Sequence, residues 1–491
     1  MYTLWNDRRS KDEGVRGLRT RAGQLSQDLA KTNPWWRLSD WQGRDADLRR
    51  ARDSGLGHES RVLDDLVEGN LYVLRGPRRV GKTVAVKQTI SRLLDAGVAP
   101  RSIVRVAADG LDEADIRQLP QSPGLPRSPD GVSRWWFIDE VSAVKGDWAT
   151  QIKWLRDNDP DFANATVVLT GSDSTALTQA IGQLPGRRGR NIRTGRTLLP
   201  IGFRTFMRLL DPEAPDTGRV ELPALRSQDA RTTFDELTPW LDILVRGWDA
   251  YLEFGGFPAS VAALARGDAV PEDFVNDLFE VVFRDAFAAS SLSESRTSAL
   301  YSRLMTGMGS PISSRAVAVD LDLTHPTVER HLSYLRHSLL AWTCPPRSIK
   351  GWLPLERGQE KLYATDPLLA RLMHLRIPAL PDIDPSVLTE MQLGVVIRRR
   401  QADGDGSWTG DERLFYWRTP TRKEVDFVSE DLGGTAIESK YTEGDGWRRE
   451  AATVNASEWD GILATRNVLD TRSRDEAWAV PAAFLAYVID T

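Results

Sequence analysis

Four short apolar runs, Leu71–Leu74, Ile103–Val106, Trp135–Ile138 and Thr166–Leu169, alternate with stretches of helical character between Arg61 and about Met207. Strands that are apolar throughout have no solvent face, so helices must cover both sides of the sheet they build. The alternation of strand and helix makes that sheet largely parallel and the class α/β. Parallel sheets take their ligands outside the carboxyl ends of the strands. The residues that follow each run are therefore where chemistry is expected.

After the first run comes Gly76-Pro77-Arg78-Arg79-Val80-Gly81-Lys82-Thr83, which fits GxxxxGK[ST], with a helix opening at Lys82. A loop between strand and helix can wrap its N–H groups around phosphate oxygens, and the helix N-terminus adds positive potential. Gly76 and Gly81 allow close approach, Lys82 reaches the β/γ-phosphates and Thr83 a magnesium ion. The third run ends in Asp139-Glu140. Asp139 is expected to hold the magnesium through water and Glu140 to polarise the attacking water. The fourth ends in Thr170-Gly171-Ser172, where Ser172 either orients water beside the γ-phosphate or caps a turn. Gly186-Arg187-Arg188-Gly189-Arg190 is an arginine cluster in a glycine-rich loop. It reads as a solvated basic loop or as an arginine finger or nucleotide-state sensor, with Arg187 favoured.

With Leu199–Phe203 and Tyr251–Pro258 added, these motifs resemble the prokaryotic AAA-type ATPases that carry a conserved C-terminal domain of formerly unknown function. The resemblance runs from about Arg61 to the C-terminus. It implies an ATP- and Mg2+-dependent P-loop ATPase core with a helical lid, in which Gly256-Phe257-Pro258 lies near the nucleotide base.

Further on, Ile312–Val319 and His325–Leu339 read as two helices about a polar turn, with Pro326 in the first turn of the second. Val328, Leu332, Leu335 and Leu339 would face a core, and Thr327, Arg330, His331, Tyr334 and Arg336 would point outward. This is a helix-turn-helix with a wing, serving either DNA reading or internal packing.

Near the C-terminus, Glu424–Val428 and Ala436–Lys440 read as strands of a hairpin turning near Leu432, which sets Asp426 across from Glu438. Facing carboxylates repel, and a divalent metal would remove that cost, with Lys440 stabilising developing negative charge. The set Asp426, Glu438, Lys440, with Glu390 on the preceding helix, is similar to the active site of the PD-(D/E)XK nuclease superfamily. It implies Mg2+ or Mn2+ held by Glu390, Asp426 and Glu438 in a restriction-endonuclease-like α/β domain.

The expected division is an N-terminal helical arm (1–60), ATPase core (61–235), helical lid (236–292), winged helix (293–350), linker (351–385) and nuclease-like domain (386–491). In the arm, Trp35, Trp36 and Trp41 are expected to dock on the core. A net charge of −5 excludes a basic coat, so contact with nucleic acid, DNA foremost, must be local. Ten of the 64 basic residues are lysines, so a kept lysine points to a need for a compact ammonium. Ala479–Ile489, the longest apolar stretch, falls short of the about 20 residues a membrane span needs. The N-terminus lacks the apolar core of a signal peptide, and the single cysteine, Cys344, forbids an internal disulfide. A soluble cytoplasmic protein is expected, either a homo-oligomeric ring or a monomer. Two functions compete: an ATPase controlling a nuclease on nucleic acid, in defence or mobile-element control, or a nucleotide-dependent switch or adaptor whose nuclease-like domain does not cut. A nucleotide-gated DNA-binding regulator is a third.

Overall fold

The computed structural model describes residues 23–129, 131–172, 177, 182, 194–290, 292–405, 408, 413–418, 424–473 and 476–490, without the side chains of 284–290, 403–405 and 445. They fall into two compact units. The first takes residues up to 53, 59–76 and 81–198; the second takes 54–58, 77–80 and those from Leu199 onward.

The first unit is built on five strands, β1 (Leu71–Arg75), β2 (Ile103–Ala107), β3 (Trp135–Asp139), β4 (Thr166–Gly171) and β5 (Gly195–Thr197). They lie in the order β2-β3-β4-β1-β5, every pairing parallel. Side chains alternate across a strand, and both faces are apolar. Leu71, Val73, Val104, Val106, Trp136, Ile138, Val167 and Leu169 face a cluster with Ile116, Ile152 and Leu155 of the flanking helices Glu113–Gln118 and Trp148–Asn158. Tyr72, Leu74, Ile103, Trp135, Phe137 and Val168 face Val86 and Ile90 of the helix Lys82–Asp95. A sheet with no wet face follows from the four apolar runs.

The N-terminal arm completes this unit. A helix over 23–32 leads to Asn33, whose amide donates to the Arg105 carbonyl (2.7 Å) and accepts from the Arg105 N–H (2.6 Å). The Trp35 and Trp36 indoles donate to the Ile103 carbonyl at 3.1 and 2.9 Å. Trp35 and Trp41, edge to face with centroids 5.0 Å apart, are buried on the sheet. The Lys87 ammonium meets Asp45 and Asp47, each at 2.7 Å. Truncating a buried tryptophan costs about 3–5 kcal/mol, so the arm contributes to stability like any core element.

The second unit opens with helices through Phe203–Leu210, Gln228–Leu237, Leu241–Phe254, Pro258–Ala265, Glu272–Ser290 and Glu294–Thr306. The helix-turn-helix expectation lies over Ser314–Asp320 and His325–His337, followed by an antiparallel pair, β6 (Ala341–Cys344) and β7 (Lys361–Ala364). His331 is a correction: it was expected outward but is fully buried, neither ring nitrogen has a hydrogen-bond partner, and burial lowers its pKa to about 4. The span expected to be a linker holds β7 and the buried helix Pro367–Arg376.

Beyond the helix Pro385–Asp405 stand β8 (Phe415–Arg418), β9 (Glu424–Val428), β10 (Thr435–Ser439), β11 (Asp460–Thr465) and β12 (Trp478–Pro481), ordered β12-β11-β10-β9-β8. The pairs β10–β11 and β11–β12 are parallel; β8–β9 and β9–β10 are antiparallel. Helix Pro385–Asp405 passes close, because a Cβ at Gly394 would strike the Trp342 ring and crowd Phe427. No helix among the described residues is long and apolar enough to cross a membrane.

Candidate active site

In the first unit, β1 and β4 are neighbours, yet the chain leaves them in opposite directions along the sheet, toward β2 and toward β5. Such a switch point opens a crevice at the carboxyl ends of the strands. Gly76 and Thr170–Ser172 lie beside it. Gly81 caps the helix Lys82–Asp95 at φ 101°, a backbone region that glycine enters without strain. Arg79 stands at φ 66°. In this loop Pro77 and Val80 are buried, while Arg78 and Arg79 are exposed. The Lys82 ammonium donates to the Gly76 carbonyl at 2.9 Å and lies 3.6 Å from Glu140 Oε1.

Asp139 is held from several directions. Its Oδ1 accepts from the Thr170 hydroxyl (2.6 Å) and its Oδ2 pairs with Arg105 Nη2 (2.6 Å). Burial alone would raise this carboxyl; Arg105 and the hydroxyls of Thr170 and Thr83 outweigh it and lower the pKa. Asp139 is thus an anion beside Thr83. That donor set suits Mg2+, a hard cation bound by one or two protein oxygens plus substrate phosphates. Arg105 has no counterpart in the sequence reading; a lone arginine inside an apolar strand was the available signal. Glu140 takes a left-handed φ of 55°. Its N–H donates to Thr170 Oγ1 (3.0 Å), and its Oε2 accepts from the Ser172 N–H (3.2 Å) and hydroxyl (3.1 Å). The structure thus brings Lys82, Thr83, Asp139, Glu140 and Ser172 into one chain of contacts. Arg187 lies outside the described residues.

Pro258 belongs to the second unit, at the first turn of the helix Pro258–Ala265. Just before it, Gly256 is bound on both sides. Its N–H donates to Asp366 Oδ2 (2.8 Å) and its carbonyl accepts from Ile201 N–H (2.7 Å). The Tyr251 hydroxyl donates to the Ile201 carbonyl at 2.8 Å. A Cβ at Gly256 would collide with that same carbonyl. Asp366 is fully buried, which raises its pKa to about 6 although two N–H donors pull it down.

The C-terminal carboxylates converge as expected, on an unexpected cation. Register Ile437↔Phe427 sets Glu438 opposite Asp426. Asp426 Oδ2 accepts from Ser439 N–H (2.9 Å), and Glu438 Oε2 from Asp426 N–H (3.2 Å). Lys440 pairs with Glu438 Oε1 at 2.7 Å. Between Glu390 and Asp426, however, lies Lys361 of β7, its ammonium 2.9 Å from each and 2.6 Å from Glu424. Burial would lower the Lys361 pKa, but these acids raise it well above its ordinary value, so it stays charged. Two lysines against four carboxylates leave excess negative charge. Burial and the Asp426 charge accordingly push Glu390 up to about 7 and Glu438 up to about 8.

Lys361 thus already holds two of the three acids, Glu390 and Asp426, that the sequence reading assigns to a metal. Among the described residues no group of three or more His, Cys, Asp or Glu is arranged to hold a metal ion. A divalent ion at Glu390 and Asp426 would have to displace the Lys361 ammonium. Sequence reasoning passed over Lys361, although a rare lysine heading the apolar strand Leu362-Tyr363-Ala364 marked it.

Residues 68–207 match a family described as an AAA domain. With the five-stranded parallel sheet and the Gly76–Thr83 loop, they form a P-loop domain of the AAA ATPase type. Residues 245–379 match a second family, a domain of unknown function (DUF8612). No curated protein matches the chain. Among solved structures, it is similar to the Walker-type ATPase PABY2304 of Pyrococcus abyssi, at 14% identity over 68% of this chain and 95% of that one, TM-score 0.36. The ORC2 protein of Aeropyrum pernix is 15% identical over 69% of this chain and 93% of its own, TM-score 0.32. A variant of RuvB from Thermotoga maritima is 15% identical over 59% and 85%, TM-score 0.25.

Proposed function

We propose that the chain is an ATP-hydrolysing switch whose nucleotide state governs a C-terminal nuclease-like domain, and that this domain grips nucleic acid without cutting it. The observation that carries the first half is the linked set Lys82, Asp139, Glu140 and Thr170 at the carboxyl end of a parallel sheet. Backbone N–H groups of Gly76–Thr83 cradle the phosphates, and Lys82 neutralises the β/γ oxygens. Thr83 and Asp139 would hold Mg2+, which shields charge on the transferred phosphoryl group. Glu140 orients the attacking water, with Ser172 fixing its carboxylate; Arg187 acts as finger or sensor. In the second unit, residues 293–350 are read as a winged helix and 386–491, with the sheet β8–β12, as the nuclease-like domain. Helix His325–His337 exposes Arg330 and Arg336, the latter 3.7 Å from Glu360, which gives at most a local basic contact.

The experiment is ATP turnover by purified protein with and without single- and double-stranded DNA. Hydrolysis lost in Lys82→Ala, together with DNA affinity that differs between ATP and ADP, supports the switch. Equal DNA affinity in both nucleotide states overturns it. A second reading, metal-dependent cleavage by Asp426, Glu438 and Lys440, draws on their convergence on one side of β9 and β10. Cleavage of DNA in Mg2+ or Mn2+, lost in Asp426→Ala, would establish it.

A further inference from the structure

An ammonium has three N–H donors, and at Lys361 three carboxylates stand within reach: Glu424 Oε1 at 2.6 Å, Glu390 Oε1 and Asp426 Oδ1 at 2.9 Å. The side chain is 1% exposed. A second ring of contacts fixes the arrangement. The Tyr363 hydroxyl, two residues along β7, donates to the same Glu390 Oε1, and the ammonium lies 5.5 Å from the centre of the Tyr416 ring. Glu438, the fourth acid, is taken by Lys440 at 2.7 Å.

A divalent ion asks for much the same surroundings: several carboxylate oxygens converging at about 2.0–2.6 Å on one point. Here that point is covalently attached to the chain. Lys361 enters from β7, whereas its partners come from helix Pro385–Asp405 and from β9. The ammonium therefore joins elements 29 to 65 residues apart in sequence. Leaving that centre would strand three carboxylates, with Asp426 buried, so exchange for a metal from solution is opposed at equilibrium.

We propose that Lys361 is the resident cation of the C-terminal carboxylate centre: it stands where a nuclease of this fold would bind its metal, and it closes the centre to divalent ions. The inference rests on reading β8–β12 as a nuclease-like fold. It assigns Lys361 a structural charge, fastening the β6–β7 pair to the sheet, and it makes the centre a latent metal site that one substitution opens.

The test uses the full chain, nucleotide-free and freed of metal, titrated with Mn2+ and followed by electron paramagnetic resonance and by melting temperature. Wild type and Asp426→Asn should bind Mn2+ equally. Lys361→Met should gain a Mn2+ site and recover several degrees of melting temperature when it fills; adding Asp426→Asn should abolish both gains. If Lys361→Met does not fold, the paired variant Lys361→Met/Glu424→Gln removes one uncompensated charge and leaves Glu390, Asp426 and Glu438 to bind the ion. Mn2+ binding by wild type that Asp426→Asn removes would overturn the resident-cation role while leaving the nuclease-like reading intact. A folded Lys361→Met variant, single or paired, that binds no additional Mn2+ would instead overturn the nuclease-like arrangement, and the proposal with it.

Discussion

Each unit sets acids and a lysine together at strand ends, and the two centres differ in what the lysine faces. In the first, Lys82 bonds a neutral carbonyl at 2.9 Å and stands 3.6 Å from one carboxylate. In the second, Lys361 spends all its donors on carboxylates. A phosphate can outcompete a carbonyl for an ammonium, because charge-assisted hydrogen bonds are about twice as strong as neutral ones. It cannot easily displace three carboxylates that converge on a buried ammonium. Acids beside a lysine at the end of a strand are thus not one motif, and the lysine's existing partners separate a binding site from a structural ion cluster.

The comparison breaks most sharply on the lysines. Lys82→Ala should reduce ATP hydrolysis to background while shifting unfolding free energy by no more than about 1 kcal/mol, the scale of one ordinary hydrogen bond. Equal damage to stability from Lys82→Ala and Lys361→Met would erase the distinction. Glu140→Gln should come next, slowing turnover by about 10²–10⁴-fold, the usual contribution of a general base, with ATP binding retained in a filter or fluorescence assay. Lys361→Met should cost about 3–5 kcal/mol in urea unfolding, as breaking a buried ion pair does. Asp426→Ala should destabilise too, reversing the expectation that removing one of two facing acids relieves repulsion, since the acid also neutralises Lys361.

The smallest effect concerns Asp366, outside both centres. Its folded pKa of about 6 lies above the ordinary carboxyl value of 3.8, so the folded protein takes up a proton that the unfolded chain releases. Stability should fall as pH rises between those values, by about 3 kcal/mol at 1.36 kcal/mol per unit. Asp366→Asn should flatten that slope in urea melts from pH 4 to 7; an unchanged slope would reassign it to other groups.

What the sequence made legible was local. Period and length marked β1 to β4 as buried strands, and the Gly76–Thr83 pattern needs only its own eight residues to be recognised. β9 and β10 were legible because short alternating strands flank a glycine turn. The short β5, Gly195-Arg196-Thr197, carries no apolar signal and forms because β1 offers it a partner. Helix Pro367–Arg376 was hidden for the opposite reason: with core packing nearly all round, it shows no polar stripe to give its period. His331 went astray because helical spacing predicts which face is apolar but not how far the packing extends round it. Lys361 depended on partners distant in sequence, and no local pattern encodes them.

The bonds from Asn33, Trp35 and Trp36 to the backbone of Arg105 and Ile103 have a further consequence. β2 is the outermost strand on its side of the sheet, where unsatisfied N–H and C=O groups would recruit a strand from another molecule. By both donating to and accepting from Arg105, Asn33 imitates one residue of a neighbouring strand, and the two indoles occupy the next carbonyl. The arm thus covers part of that edge. A chain trimmed to begin after Trp41 would keep the phosphate loop and both acids, yet should precipitate at concentrations the full chain tolerates.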